Sequence, residues 1–388
     1  MISHPLYSLH NFDPKIIDRK YLTELSIDIS KIDEVVLYRL EKSSKNFIAS
    51  YQNERLHIND VIIKSEISNK TQLPIHKYNK NSKCPSNVLE MNPVVGCSYK
   101  CLYCLATSGV HDKKILIYSN YPEYIKKHLE DTVNIEYWYY LGAKTDAFQD
   151  VIIETGLIHS IIKEFILHYK KYPKSKKKLF IVTKGGIDQI EYLYNGKSII
   201  NLLSEIKERV YYNISIGIMP DDIRTIFEPK APFMEQRIKA FIECQRNGIN
   251  ANHTVLQPII ETYLNDGIID DYLSMIKNIN CINFKPEFLT VTIENLAVLA
   301  QVIGYLDKSI ESKIYKQYLP SENQDIKKNG RTAPNRKQSL ETLIKLKEKG
   351  EQYGLTMSIC CWVREAYSVS TNYFPIINNN KYLCDFKA

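Results

Sequence analysis

Apolar and polar positions keep no steady period over residues 1–85, which are mixed and polar apart from strand-like runs such as "EVVLYRL" at 34–40. From about residue 88 a rhythm sets in. Runs rich in β-branched and aromatic residues alternate with stretches whose apolar positions recur every three or four residues, the pattern of βα units around a parallel sheet. The runs "NVLEMNPVV", "IEYWYYLGA", "KLFIVTK", "VYYNISIGI", "INANHTVLQP" and "CINFKPEFL" predict strands. Between them, "YPEYIKKHLED", "LIHSIIKEFILHY", "PFMEQRIKAFIECQRNG" and "IIDDYLSMIKNI" predict helices. The third helix is the best punctuated: Pro232 stands near its start, Gly248 at its end, and Ile238, Phe241 and Ile242 share one face.

Six strands with interleaved helices predict an α/β fold, an incomplete (β/α)6 barrel over residues 86–300. An N-terminal extension, 1–85, and a C-terminal extension, 301–388, flank it. The latter reads as a Lys-rich connection, a helix near "RKQSLETLIKLKEKGEQYG" and a last strand "LTMSICCWV". No internal repeat is found. In a barrel of this kind, chemistry belongs at the C-terminal strand ends. The stretch "GCSYKCLYC", residues 96–104, follows the first strand directly.

That stretch carries Cys97, Cys101 and Cys104. With 9 cysteines in 388 residues, a random C-x3-C-x2-C is expected about 0.005 times per chain, so the spacing is a strong signal. Three thiolates on one loop can hold three irons of a [4Fe–4S] cluster and leave the fourth open. Zinc is the competing reading; it wants a fourth ligand, for which Cys84 is available. The remaining composition narrows the class without naming the chemistry. A hydrophobic fraction of 44% and a charged fraction of 24% are those of a soluble globular protein. A net charge of +7 permits an acidic partner without requiring one. No signal peptide and no apolar run of about 18 residues is found, so no membrane partner is expected. The odd cysteine count and the crowding of three thiols point to a reducing, cytoplasmic setting.

At these residues the chain resembles the radical S-adenosylmethionine enzymes, whose C-x3-C-x2-C loop has an aromatic residue before its last cysteine; here it is Tyr103. The resemblance implies a radical-SAM-type barrel in which S-adenosylmethionine chelates the open iron. It further implies that an electron splits the cofactor and that the 5′-deoxyadenosyl radical abstracts hydrogen from substrate. Downstream, "GAKTD", "FIVTKGG", "ISIGI", "IFEPKAPFMEQR" and "LQPII" resemble, in order, the motifs of the spore photoproduct lyase branch. Carried over by position, Tyr103, Thr145, Lys184 and Ser215 would bind the cofactor. A lysine ammonium suits its carboxylate, and hydroxyls suit its polar ends.

The chain departs from that branch at two places. The lyase keeps a hydrogen-donating cysteine just before its "TSD", where Ala143 stands here, and the tyrosine after its third cluster cysteine is replaced by Leu105. A cousin acting on another substrate is therefore expected: a small molecule, peptide or nucleoside, with an electron donor such as flavodoxin or ferredoxin. A DNA photoproduct lyase is the alternative. A non-catalytic iron–sulfur or zinc protein that binds nucleic acid is the third. Cys360 and Cys361, in "MSICCWVRE", are candidate replacements for the missing thiol donor, since neighbours on a strand face opposite ways; two small buried residues are the plainer reading. Cys244 and Cys281 read as buried small hydrophobes. The basic runs 170–178 and 327–337 read as solvated loops rather than phosphate contacts.

Overall fold

A computed structural model describes residues 5–53, 61–67, 75–77, 87–104, 114–219, 221–260, 264–320, 330–334 and 336–359. Its centre is an eight-stranded sheet: β1 (Ile75–Lys77), β2 (Val88–Met91), β3 (Trp138–Leu141), β4 (Lys178–Thr183), β5 (Val210–Ser215), β6 (Asn250–Ile259), β7 (Asn283–Phe288) and β8 (Thr356–Met357). Spatial order equals chain order. β1 is antiparallel at one edge; β2 to β8 are parallel. Each of the six predicted strands is present, and so is the last. Parallel neighbours need crossovers, and helices Tyr121–Asp131, Leu157–Lys171, Met234–Arg246 and Asp266–Asn278 supply them where the period of about 3.6 predicts. The result is the α/β partial barrel.

Alternation sorts the side chains. On β2 to β5, Leu89, Met91, Tyr139, Leu141, Leu179, Ile181, Tyr212 and Ile214 join the helices' Ile125, Ile158, Ile162 and Phe165 in the main core. The alternate residues Val88, Trp138, Phe180 and Val182 form a separate inner cluster with Val255. Each fully buried large apolar side chain contributes about 1.5–3 kcal/mol, so the two faces together fix the register.

The N-terminal region corrects an expectation. "EVVLYRL" is not a strand; it opens helix Glu34–Gln52, capped by the Asp33 carboxylate, which accepts from Val35 N at 2.8 Å. Its buried positions Val36, Leu37, Leu40, Ser44 and Phe47 fall on one helical stripe. That stripe meets helices Ile293–Leu306 and Lys308–Tyr318 in a second core. The second of these occupies part of what reads as a Lys-rich connection. Tyr21 Oη donates to Glu311 Oε1 at 2.9 Å, and Arg39 Nε to Glu294 Oε1 at 2.8 Å. A smaller sheet, ordered 61–65, 114–118, 94–95, lies beside the barrel.

The run 170–178 is less solvated than expected. Lys177 is buried, with Nζ donating to the carbonyls of Thr132 and, at 2.8 Å, Ile135. Burial brings its pKa down to about 8. Lys178 lies over the Trp138 ring, 4.4 Å from its centroid.

Candidate active site

The cysteine loop leaves the short strand Val94–Val95 and is held to its neighbours by a set of hydrogen bonds. Gly96 starts it at φ +92°, and a Cβ there would strike the Lys114 carbonyl, so only glycine fits. Lys100, buried at φ +52°, makes a second left-handed turn between the first two cysteines. Gln149 accepts from Ser98 N at 2.6 Å and donates to the Asp146 carbonyl at 2.9 Å. Tyr99 Oη donates to the Phe148 carbonyl at 3.0 Å. On the other side Leu102 N donates to the Phe227 carbonyl at 2.9 Å, and Asn295 Nδ2 to the Cys104 carbonyl at 2.8 Å. Neighbours from the β3 loop, the Phe227 segment and helix Ile293–Leu306 therefore set where the thiols lie.

Cys97 and Cys101 are buried and Cys104 is half-buried. Burial pushes the Cys97 thiol up to about 12, with Asp146 and Cys104 adding to the shift. Burial likewise raises Cys101 well above the usual thiol range; Lys184 pulls it down, while Glu228, Cys104 and Cys97 push it up. The three thiols thus act on one another's ionisation, and thiolates at these positions call for a cationic group. Among the described residues no three Cys, His, Asp or Glu side chains close on one point as a single metal ion requires. Thiolates at separate iron corners of a cluster stand further apart. The donor set, three cysteines with an adjacent ammonium, fits such a cluster.

Lys184, half-buried, directly follows β4, with Nζ 5.9 Å from the centroid of the Tyr103 ring. Burial works against its charge, but Cys101 and Glu228 raise its pKa above the usual lysine value. Its backbone is set by Asp146, whose carboxylate accepts from Lys184 N and Thr183 Oγ1, both at 2.6 Å, and from Phe148 N at 2.9 Å. Ser215 is buried at the end of β5. Thr145, also buried, donates its hydroxyl to the Val94 carbonyl at 3.2 Å and so braces the strand that leads to Gly96. Tyr103, Lys184 and Ser215 all lie at the same end of the sheet as the cysteine loop. Ala143 lies in the β3 loop, where residues 142–150 carry no thiol.

Two residues that sequence reasoning gave no role hold these parts together. Glu228 is buried; Oε1 accepts from Tyr103 Oη, and Oε2 pairs with the guanidinium of the fully buried Arg237. Arg237 also donates Nη1 to the Ser215 carbonyl at 3.1 Å and Nε to the Pro232 carbonyl at 2.8 Å. Burial disfavours the Glu228 charge, but Arg237, Lys184 and Arg224 outweigh it and bring its pKa down to about 2. The signal was the spacing in "FEPKAPFMEQR", which places a carboxylate nine residues before an arginine. Cys244 and Cys281 are buried outside this centre, Cys281 donating to the Asn283 carbonyl at 3.0 Å. Cys84, Leu105, Cys360 and Cys361 lie outside the described residues.

Residues 91–275 match the family described as the radical SAM superfamily. A 187-residue stretch is 25% identical to an uncharacterized protein of Methanocaldococcus jannaschii; it covers 46% of this chain and 63% of that relative, so under two thirds of the relative's length is matched. Among solved structures, a spore photoproduct lyase complexed with the dinucleoside spore photoproduct has 13% identity and a TM-score of 0.50, over 87% of this chain and 92% of that one. A single-residue variant of that lyase has 14% identity and a TM-score of 0.51 over the same shares. At such identities the likeness is one of fold. With its seven parallel strands, the chain has the fold seen in the spore photoproduct lyases, and its residues 91–275 match the radical SAM superfamily.

Proposed function

We propose that Cys97, Cys101 and Cys104 hold a [4Fe–4S] cluster, and that the chain uses it to cleave S-adenosylmethionine reductively and abstract hydrogen from a substrate. Residues 86–300 would carry this activity, with 1–85 and 301–388 as extensions. The cluster, held by these three cysteines, would supply the electron for cofactor cleavage. The observation that carries the reading is Lys184 Nζ standing over the ring of Tyr103, the residue before Cys104. The Lys184 ammonium would hold the carboxylate of the cofactor, and the three cysteines would hold the cluster. Ser215, Thr145 and Tyr103 would line the same cofactor site. No helix among the described residues is long and apolar enough to cross a membrane. A cytoplasmic flavodoxin or ferredoxin suits the electron donor.

Anaerobically reconstituted protein given reductant and S-adenosylmethionine should release 5′-deoxyadenosine and methionine. Lys184→Ala should weaken cofactor binding by about 1.5–3 kcal/mol, the loss of one charge-assisted hydrogen bond, at unchanged iron content. Normal affinity in that variant would remove Lys184 from the cofactor site.

The fold likeness favours one second reading, reversal of a DNA photoproduct. Against it, Ala143 offers no hydrogen where the lyase branch has its cysteine. The wild-type chain is therefore expected to return little thymidine from dinucleoside spore photoproduct, measured by chromatography. Efficient reversal that disappears in Cys360→Ala or Cys361→Ala would restore the lyase reading, with that thiol as donor.

A further inference from the structure

One connected set of side chains joins the cysteine loop to the end of β5, with Glu228 as its middle member. Tyr103 belongs to the cysteine loop; its hydroxyl donates a hydrogen bond to Glu228; Arg237 pairs with Glu228 and donates to the carbonyl of Ser215. Arg224 Nη1 stands 4.0 Å from Glu228 Oε2, and its own guanidinium is tied to the carbonyls of Gly217 at 3.0 Å and Met219 at 2.9 Å. Lys184 is the remaining cation acting on Glu228. Glu228 is therefore the only carboxylate among the residues just named, set against three cations and hydrogen-bonded to Tyr103, the residue before Cys104. A carboxylate this deep is held ionised only by such partners. The Tyr103 hydroxyl holds it on the loop side, and Arg237 on the strand side.

We propose that Glu228 is a positioning residue for the iron–sulfur centre: it ties the cysteine loop to the end of β5, and its fixed negative charge holds the cluster's reduction potential low. This rests on the cluster reading above and adds to it a residue that no motif assignment gives a role. The physical reason is direct. A buried negative charge near a cluster disfavours the added electron, and hydrogen bonding and charge around the sulfurs are established levers on its potential. A low potential is what reductive cleavage of a sulfonium requires.

The test uses the full chain, reconstituted anaerobically, and reads iron content, the electron paramagnetic resonance spectrum of the reduced cluster and its midpoint potential. Glu228→Gln keeps the volume and a hydrogen-bond acceptor but removes the charge. It should retain the wild-type iron content and shift the midpoint potential upward, towards easier reduction. Tyr103→Phe keeps the charge and removes the tether; it should alter the spectrum with a smaller shift in potential. If Glu228→Gln does not load, Tyr103→Phe decides by its spectrum. Loaded variants with unmoved potential and spectrum would overturn the inference and leave the cluster assignment standing. Wild-type protein that takes up no iron would overturn the assignment itself, and this inference with it.

Discussion

Cys101→Ala should abolish both iron loading and 5′-deoxyadenosine formation while leaving the sheet intact. The argument is one of ligand count. A site with three protein thiolates has none in reserve, so removing any of Cys97, Cys101 or Cys104 leaves two irons without a protein ligand. The described residues offer no replacement: Cys244 is buried on helix Met234–Arg246 and Cys281 is hydrogen-bonded beside β7. Alanine in place of a small buried thiol costs the loop little packing, so far-ultraviolet circular dichroism should match wild type. Wild-type iron in any of the three variants would end the assignment, and so would stoichiometric zinc without iron in the unmodified protein.

The second large effect is on stability. Arg237→Ala should cost about 3–5 kcal/mol, because it strands the Glu228 carboxylate in the interior. It also removes the donors to the Ser215 and Pro232 carbonyls. Denaturant unfolding of the cluster-free protein would measure this, and a loss under about 1 kcal/mol would mean that water reaches the site. The pH dependence has a definite sign. Glu228 has its pKa lowered from 4.5 to about 2 in the folded state, so its contribution is complete above the ordinary carboxylate value and is lost as pH falls towards the lower one. Arg237→Ala should therefore flatten the acid limb of the stability curve as well as lower it.

The barrel was legible because each strand carries its own signal. β4 and β5 are short apolar runs bounded by polar residues, and each pairs with its chain neighbour, so local pattern and global order agree. The helices of the second core were not legible, for two opposite reasons. Helix Ile293–Leu306 is buried from Ile293 to Gly304 apart from Glu294, so its sequence shows no polar face from which a period could be read. Helix Glu34–Gln52 opens with Val35, Val36 and Leu37, residues that also suit a strand; the Asp33 cap and the burial of Leu40, Ser44 and Phe47 decide the matter. At the site, the cysteine spacing spoke for itself. Glu228 did not, because its meaning depends on Tyr103, 125 residues away, and a buried carboxylate looks like any other until its partner is in place.

The second core has a consequence for the order of assembly. During synthesis the parallel strands emerge in the order in which they pair, so each can add to the strand already made. The N-terminal helices have no such neighbour. Tyr21 waits for Glu311, 290 residues later, and Arg39 for Glu294, 255 residues later. Closing a free loop of that length costs about 5 kcal/mol in chain entropy, a cost reduced once the intervening barrel has compacted. These early helices are therefore among the last of the described elements to be packed. Cys97, Cys101 and Tyr103 share the core that they close, so the cysteine loop gains its full cover only after residues 293–318 have left the ribosome.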